Sequence, residues 1–382
     1  MTVENLQIEI GTSLAAIAAH DWDALVGADN PFVEHRFLLA LETSGSVGAG
    51  TGWLPAHAVV RRGTRIVAAA PLYVKDHSYG EYIFDWGWAN AAQRAGISYY
   101  PKVVCAVPFT PATGPRLLVH PDEDPRELRR VLLQAMRRLV EAIDGSSAHV
   151  LFCTKEEHDD LCGETGWLPR VTYQFHWNND SYRDFDDYLA RFRAAARKAV
   201  RRERRKAAQA ALEIQTLSGT ELPRGASTAL YRFYGDTISR KWAHRYLTRT
   251  FFGELETSLA ERVLVNWALR EGKPVAATLS FQKGTQLFGR YWGAADEIEM
   301  LHFELCYYRP IEYAIERGLQ RFEAGAQGQH KLKRGLLPTP TYSLHQIAHP
   351  GLERGIREFL AFERRAVEAE IAELLQSSPF RC

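Results

Sequence analysis

Cysteine, net charge and long apolar runs are all scarce in this 382-residue chain, and each scarcity removes a class of function. The five cysteines (Cys105, Cys153, Cys162, Cys306 and Cys382) are scattered and form no Cys-x-x-Cys pair. That excludes a disulfide framework and a structural zinc site, and it fits a reducing compartment. Lys and Arg number 47 against 46 Asp and Glu, a formal net charge of +1. The field of the whole molecule therefore selects neither nucleic acid nor membrane, and any attraction has to be local. No run approaches the roughly 18 uninterrupted apolar residues of a membrane span. Residues 1–19 carry Glu4 and Glu9 and lack a basic start followed by an apolar stretch, so no secretory leader is expected. These absences describe a soluble, cytoplasmic protein with no metal and no permanently bound cofactor.

What is present is enough apolar material, 46% of residues, for two cores, and the length exceeds one. Helical spacing covers residues 13–19 and 32–42. Two β-like runs, 56–62 and 65–75, flank Gly63-Thr64 as a hairpin, and the aromatic stretch 81–88 reads as a strand. Residues 101–121, broken by Pro108, Pro111 and Pro115, read as strand, loop, strand. Asp124-Pro125 opens a helix ending at Gly145, and 150–153 is a buried strand. The second half repeats the order: a strand at 171–177, helices at 185–211, 225–241 and 248–259, then β-like runs at 263–269, 274–282 and 286–293. A helix over 300–317, strands at 319–323 and 339–347 and a long charged helix at 352–375 close the chain. Helices on a mixed, mostly antiparallel sheet, occurring twice, make an α/β (α+β) protein of two units. The expected division is 1–175, 176–348 and a C-terminal helix 349–382, with the boundary near 168–182 at Pro169 and Asn178-Asn179-Asp180.

The most individual strings are Gly-Arg-Tyr-Trp-Gly at 289–293, Leu-His-Phe-Glu-Leu-Cys-Tyr-Tyr at 301–308 and Phe-Glu-Ala-Gly-Ala-Gln-Gly-Gln-His-Lys-Leu-Lys-Arg-Gly at 322–335. With Asn30-Pro31-Phe32, Phe84-Asp85-Trp86-Gly87-Trp88, Tyr99-Tyr100-Pro101-Lys102, Val107-Pro108-Phe109-Thr110 and Gln174-Phe175-His176-Trp177 they span nearly the whole chain. Together they resemble the Fem-like predicted N-acyltransferases, also described as peptidoglycan biosynthesis or recognition proteins. The resemblance implies two tandem acetyltransferase (GNAT)-like domains and transfer of an acyl or aminoacyl group to a small-molecule or peptide amine. It leaves the co-substrate open between aminoacyl-tRNA and acyl-CoA, and it also accommodates a non-catalytic peptidoglycan- or RNA-recognition module.

Acyl transfer to an amine needs a neutral amine, a donor to the oxyanion and a stabilised leaving group. Lys333, in Leu-Lys-Arg-Gly, resembles the Phe-Lys-x-Gly element of Fem transferases, whose lysine is implied to meet the acyl donor; here leucine replaces the phenylalanine. A solvated lysine in a basic loop is the alternative reading. His302 and Glu304 are candidate bases, but on a regular helix they lie about 200° apart and cannot share a cleft. Each is equally readable as a capping or buried polar group, and Cys306 reads as packing. Glu323, followed by Gly325, Gly328 and His330, is a further base candidate or a structural partner of the cations at 331–334. Alternation places Arg290 and Trp292 on one strand face and Tyr291 on the other, suiting a flat or anionic ligand as well as core filling.

In the first half, Trp86, Trp88, Tyr100 and Lys102 gather aromatics beside a cation, as an acceptor cleft or as core. Between Arg191 and Lys206 lie nine Arg or Lys and one acid, Glu203. Arg197, Arg201, Arg204 and Arg205 share one side of that helix, with Lys198 and Arg202 on the neighbouring stripe. This is a local patch able to hold tRNA phosphates, or simply a solvated face. The Gln/Arg-x-x-Gly-x-Gly/Ala loop with which acetyl-CoA enzymes hold a pyrophosphate has no clean match. Gln327-Gly328-Gln329-His330 and Arg94-Ala95-Gly96 are poor approximations.

Overall fold

A computed structural model describes residues 6–240, 245–325 and 328–381. It divides into two compact units, one of Met1–Tyr173 with Pro340–Ala369, the other of Gln174–Thr339 with Glu370–Cys382. The linear division at 348 is thereby replaced: the chain leaves the first unit, completes most of the second, and returns. Lys241, Gln327 and Cys382 lie outside the described residues.

The chain opens with β1 (Leu6–Gly11), α1 (Ala19–Asp23) and α2 (His35–Thr43), and Ser13–Ala19 supplies a single 3-10 turn rather than a helix. Then follow β2 (Leu54–Pro55), β3 (His57–Arg62), β4 (Arg65–Ala70) and β5 (Leu72–Lys75). The expected run 65–75 is cut at Pro71, which has no N–H for a ladder. The two pieces enter different sheets, β4 in the order β1-β3-β4-β7 and β5 beside β6. Residues 81–88 form no strand. They lead into α3 (Trp86–Arg94), because Glu81 and Asp85 turn inward onto Lys102.

Next come β6 (Lys102–Cys105), β7 (Leu118–Val119), α4 (Pro125–Ala142), β8 (Ser147–Cys153), α5 (Lys155–Leu161) and β9 (Leu168–Asn178). Asp124 caps α4 by accepting from the Arg126 and Glu127 N–H groups, a contribution of about 1 kcal/mol. Leu128, Leu132 and Met136 of α4 pack into one core with Val60, Val103 and Val150. Burying each such side chain contributes roughly 1.5–3 kcal/mol. β6 and β8 run parallel (Val103 beside Ala148, Cys105 beside Val150), with α4 as their crossover.

The expected helix 185–211 is two, α6 (Phe185–Ala190) and α7 (Ala194–Ala208). Phe192 breaks them by turning fully inward onto Tyr188 and Phe380. After β10 (Glu213–Ser218), a strand absent from the sequence reading, come α8 (Ala226–Arg240) and α9 (Arg249–Glu254). The antiparallel meander β11 (Val263–Arg270), β12 (Lys273–Lys283), β13 (Gln286–Ala294) follows as expected. α10 (Leu301–Phe303), a π-turn at Glu304–Tyr308 and α11 (Arg309–Glu316) form the next crossover, leading to β14 (Arg321–Glu323). β14 lies parallel to β13 and antiparallel to β9. β15 (Leu337–Ile347) and α12 (Pro350–Gln376) complete the chain, β15 pairing with β8 over Tyr342–Ile347.

Candidate functional site in the second unit

The ladder between β13 and β14 covers three pairs, Gln286–Phe288 with Arg321–Glu323, and stops there. β13 continues to Ala294 against β12, so the edge beyond Gly289 faces a crevice at the carboxyl ends of two parallel strands, a habitual ligand position. Glycine is required at Gly293, where a side chain would meet the Phe233 carbonyl at 2.1 Å; one on Gly289 would press on the Phe322 ring at 3.2 Å.

The helix entering this crevice is not regular. At the π-turn the buried Asn266 amide donates to the Leu305 carbonyl (3.3 Å), compensating the widened ladder. The turn gathers an aromatic cluster. The His302 ring lies 5.3 Å from Trp292, 5.5 Å from Tyr307 and 6.2 Å from His330, and the Tyr307 hydroxyl meets His330 Nε2 at 2.9 Å. Burial, then the neighbouring Arg334 and Lys331, hold the His330 imidazole below its ordinary pKa, so it is neutral at pH 7. Burial raises that of Tyr307, which keeps its proton. Gly328, at φ +113, makes room for this imidazole, since a Cβ there would sit 2.4 Å from its Cε1.

The loop carrying His330 is clamped from three sides. Arg334 donates to Glu203 of α7 (2.8 Å) and to the His330 carbonyl (2.7 Å), and it stacks on Phe303 at 3.4 Å. Tyr308 also donates to Glu203. Tyr188 of α6 donates to the Arg334 carbonyl (2.6 Å), passing over Gly335, whose φ of +82 suits glycine. The 3-10 turn over Gln329–Arg334 then sorts the cations, burying Lys331 and Arg334, three residues apart. Lys331 is buried and donates to the Gly325 carbonyl (2.7 Å), whereas Lys333 projects into solvent.

Of the candidate bases, Glu304 does not face the crevice. It is buried and held by Arg204 (2.9 Å) and Arg309 (3.2 Å), its neighbours on α7 and at the head of α11. Glu323 is buried at the end of β14, 3.8 Å from His176 Nε2. Burial, helped by Arg321 and Lys331, depresses the His176 pKa to about 3. The expected alternation at 290–292 fails at a bulge opposite Leu279/Ser280: the Arg290 guanidinium lies 5.3 Å over the Tyr291 ring, not with Trp292. Tyr307, Lys331 and His176 were not singled out in the sequence. No local signal marks them: Lys331 and Lys333 share parity, and only the 3-10 turn separates the buried one from the exposed one.

On α7, Lys198, Arg202 and Arg205 are exposed and Arg197 half-buried, while Arg201 is exposed but bonded to Asp186 at 3.0 Å. A groove of about 350 Å³ beside α7 is lined by Arg183, Arg201 and Arg204 but also by Asp184, Asp186, Glu312 and Glu316, so it does not concentrate anions. In the first unit, Lys102 does not line an open cleft. It is fully buried and donates to Glu81 (2.9 Å), Asp85 (2.5 Å) and Ser78 (2.8 Å). Burial would raise the Asp85 pKa, but Lys102 outweighs it and holds it at about 2. Burial pushes Lys75, fully covered beside Glu81, down to about 7. Tyr100 bonds Ser78, Trp88 is buried under Arg170, and Trp86 is 37% exposed against Tyr79.

Comparison with solved structures places this architecture. FemX shares 11% identity over 89% of this chain and 98% of its own, with a TM-score of 0.56. The C-terminal domain of a putative lysylphosphatidylglycerol synthetase from Agrobacterium fabrum shares 10% over 91% and 96%, with a TM-score of 0.57. A conserved protein of unknown function from Bacteroides thetaiotaomicron shares 10% over 90% and 100%, with a TM-score of 0.54. At such identities the likeness is one of fold. No curated protein matches. The FemAB-like family model, described as peptidoglycan biosynthesis/recognition, matches residues 13–382, and this chain belongs to that family.

Proposed function

We propose that this protein is an N-acyltransferase moving an aminoacyl group from aminoacyl-tRNA to an amine acceptor, with the β13/β14 crevice as the transfer site. The observation that carries the reading is the Tyr307–His330 pair at that crevice, a neutral imidazole held by a phenol that keeps its proton. His330 takes a proton from the acceptor ammonium, freeing its lone pair to attack the ester carbonyl. A C–N bond forms and the ester C–O bond breaks; of the two protons the nitrogen gives up, one goes to the leaving ribose oxygen and the other is released to solvent. Lys333, projecting from the same clamped loop, supplies positive charge for the oxyanion or the tRNA end.

Two features favour tRNA over acyl-CoA. The segment between β13 and the helix carries Asp296, Glu297 and Glu299 and no glycine after Gly293, which suits a diphosphate poorly. The exposed cations of α7 suit a phosphate backbone. Binding of the purified chain to charged tRNA and, in parallel, to acetyl-CoA across a salt series is the test. Salt-sensitive tRNA binding whose log–log slope falls by about 1–2 in Arg197→Ala/Arg202→Ala supports the reading. Tight acetyl-CoA binding without a tRNA signal moves the donor to a thioester. Ligand binding with no transfer to any amine leaves a recognition module.

A further inference from the structure

α8 buries Ala226, Leu230, Phe233 and Tyr234. Thr228, Tyr231, Arg232 and Gly235 fall on another face, at the i, i+3, i+4, i+7 spacing. Two arginines from later in the chain lie along that face. The Arg249 guanidinium reaches the Thr228 hydroxyl at 3.5 Å, and that of Arg245 lies 5.9 Å over the Tyr231 ring. Arg245 also covers Gly235, where a Cβ would sit 2.6 Å from its Nη2 and 2.7 Å from its Cζ. Only proline suits a helix interior less than glycine, so α8 gives up local stability at the point where a guanidinium lies on its backbone. Arg232, Arg245 and Arg249 are all exposed, and among the described residues no ion pair joins any of them to an acid. On α7, by contrast, Arg201, Arg204 and Lys206 are paired with Asp186, Glu304 and Glu299. The carboxylates near α8 are engaged elsewhere. Glu256 accepts from the Gly225 and Ser227 N–H groups, and Glu254 accepts from the Ser258 hydroxyl.

We propose that this face of α8 holds the RNA backbone of the donor, a step that rests on aminoacyl-tRNA being that donor. The rise from Thr228 to Gly235 is about 10 Å, roughly the axial run of three phosphates along one duplex strand. Guanidinium forks spread over that length suit a repeating anion, where a compact single phosphate would meet one of them. The half-buried Tyr231 sets an aromatic ring among the cations. α8 also supports the crevice. Thr237 donates to the Trp292 carbonyl (2.6 Å), and the Phe233 backbone lies against Gly293. A strand held on α8 therefore rests on the helix that backs the transfer edge of β13.

Binding of deacylated tRNA to the full chain across a salt series is the test, with circular dichroism to confirm folding of each variant. Arg232→Ala/Arg245→Ala/Arg249→Ala should weaken binding about tenfold or more at low salt and lower the log–log slope by about 2–3. The same three positions changed to lysine should keep the slope within about 1 of wild type. Gly235→Ala, which moves the Arg245 guanidinium off the helix, should weaken binding about threefold. Wild-type tRNA binding whose slope the alanine triple leaves unchanged overturns the proposal and leaves the donor reading standing. A wild type with no salt-sensitive tRNA binding overturns both. Binding to phosphatidylglycerol vesicles that the alanine triple loses, with tRNA binding unchanged, would assign the face to a lipid headgroup and also overturn it.

Discussion

Each unit contains one pair of parallel strands joined by a crossover helix, and the two pairs end differently. Beyond the β6/β8 ladder the space is filled by Arg116, which is 1% exposed. Its guanidinium donates to the carbonyls of Leu151 (2.8 Å), Ala112 (2.5 Å), Gly114 (3.1 Å) and Pro115 (3.1 Å). The Arg116 and Leu117 N–H groups both donate to Glu157 at 2.7 Å, which fixes the backbone that carries the plug. Beyond the β13/β14 ladder no arginine is seated in this way among the described residues, and the buried Lys331 donates to the Gly325 carbonyl. The corresponding position is approached by half-exposed or exposed Trp292, His302 and His330. The same backbone arrangement is thus plugged in one unit and lined by partly exposed rings in the other, where the proposed transfer site lies.

That contrast can be broken from either side. The largest effect is expected at the plug. Arg116→Met leaves the buried carbonyls of Leu151, Ala112 and Gly114 without their donor and should cost about 1–3 kcal/mol or more in urea denaturation while sparing transfer by the folded fraction. A near-neutral result would mean that the first crevice is not held shut by charge. In the second unit, His330→Ala should lower the transfer rate about 10²-fold in single-turnover assays with stability little changed. An equal loss from Arg116→Met would erase the distinction between the units.

A smaller cost is expected at Gly335. Gly335→Ala places a Cβ 2.0 Å from the Tyr188 hydroxyl at φ +82 and should cost about 1–3 kcal/mol. Combining it with Tyr188→Phe should cost less than the sum of the two. The finest test is pH. A base with a depressed pKa gains activity as pH rises through a value below the ordinary 6.5, so kcat/KM should already be near its plateau at neutrality. Arg334→Gln removes a neighbouring cation that disfavours the imidazolium, and the inflection should move upward.

Much of this was legible in the sequence. The β3/β4 hairpin, the α4 cap and the β11–β13 meander announce themselves through turn residues and periodicity. The failures share a cause, which is that contacts distant in sequence overrode local pattern. Aromatic residues at 81–88 suggest a strand, yet Glu81 and Asp85 must reach Lys102. Phe192 divides a helix whose charge pattern runs on unbroken. Neither the π-turn nor the bulge at Arg290 has a local signature, because Asn266 and the β12 register create them. The site was therefore readable as a neighbourhood, in His302, His330 and the 322–335 string, but not as an arrangement. Glu304 looked available until α7 supplied Arg204, and Tyr307 gained meaning only beside His330.

The return of Pro340–Ala369 to the first unit bears on how the protein is made. β8 lacks its β15 neighbour, and α3 lacks the cover of α12, until roughly two hundred further residues have followed Tyr173. At ordinary ribosomal speed that is a wait of roughly 10–40 s with one edge of β8 unpaired. The second unit has most of its chain in hand before the first can close. On the ribosome, the portion synthesised first waits for nearly the whole chain before it can close.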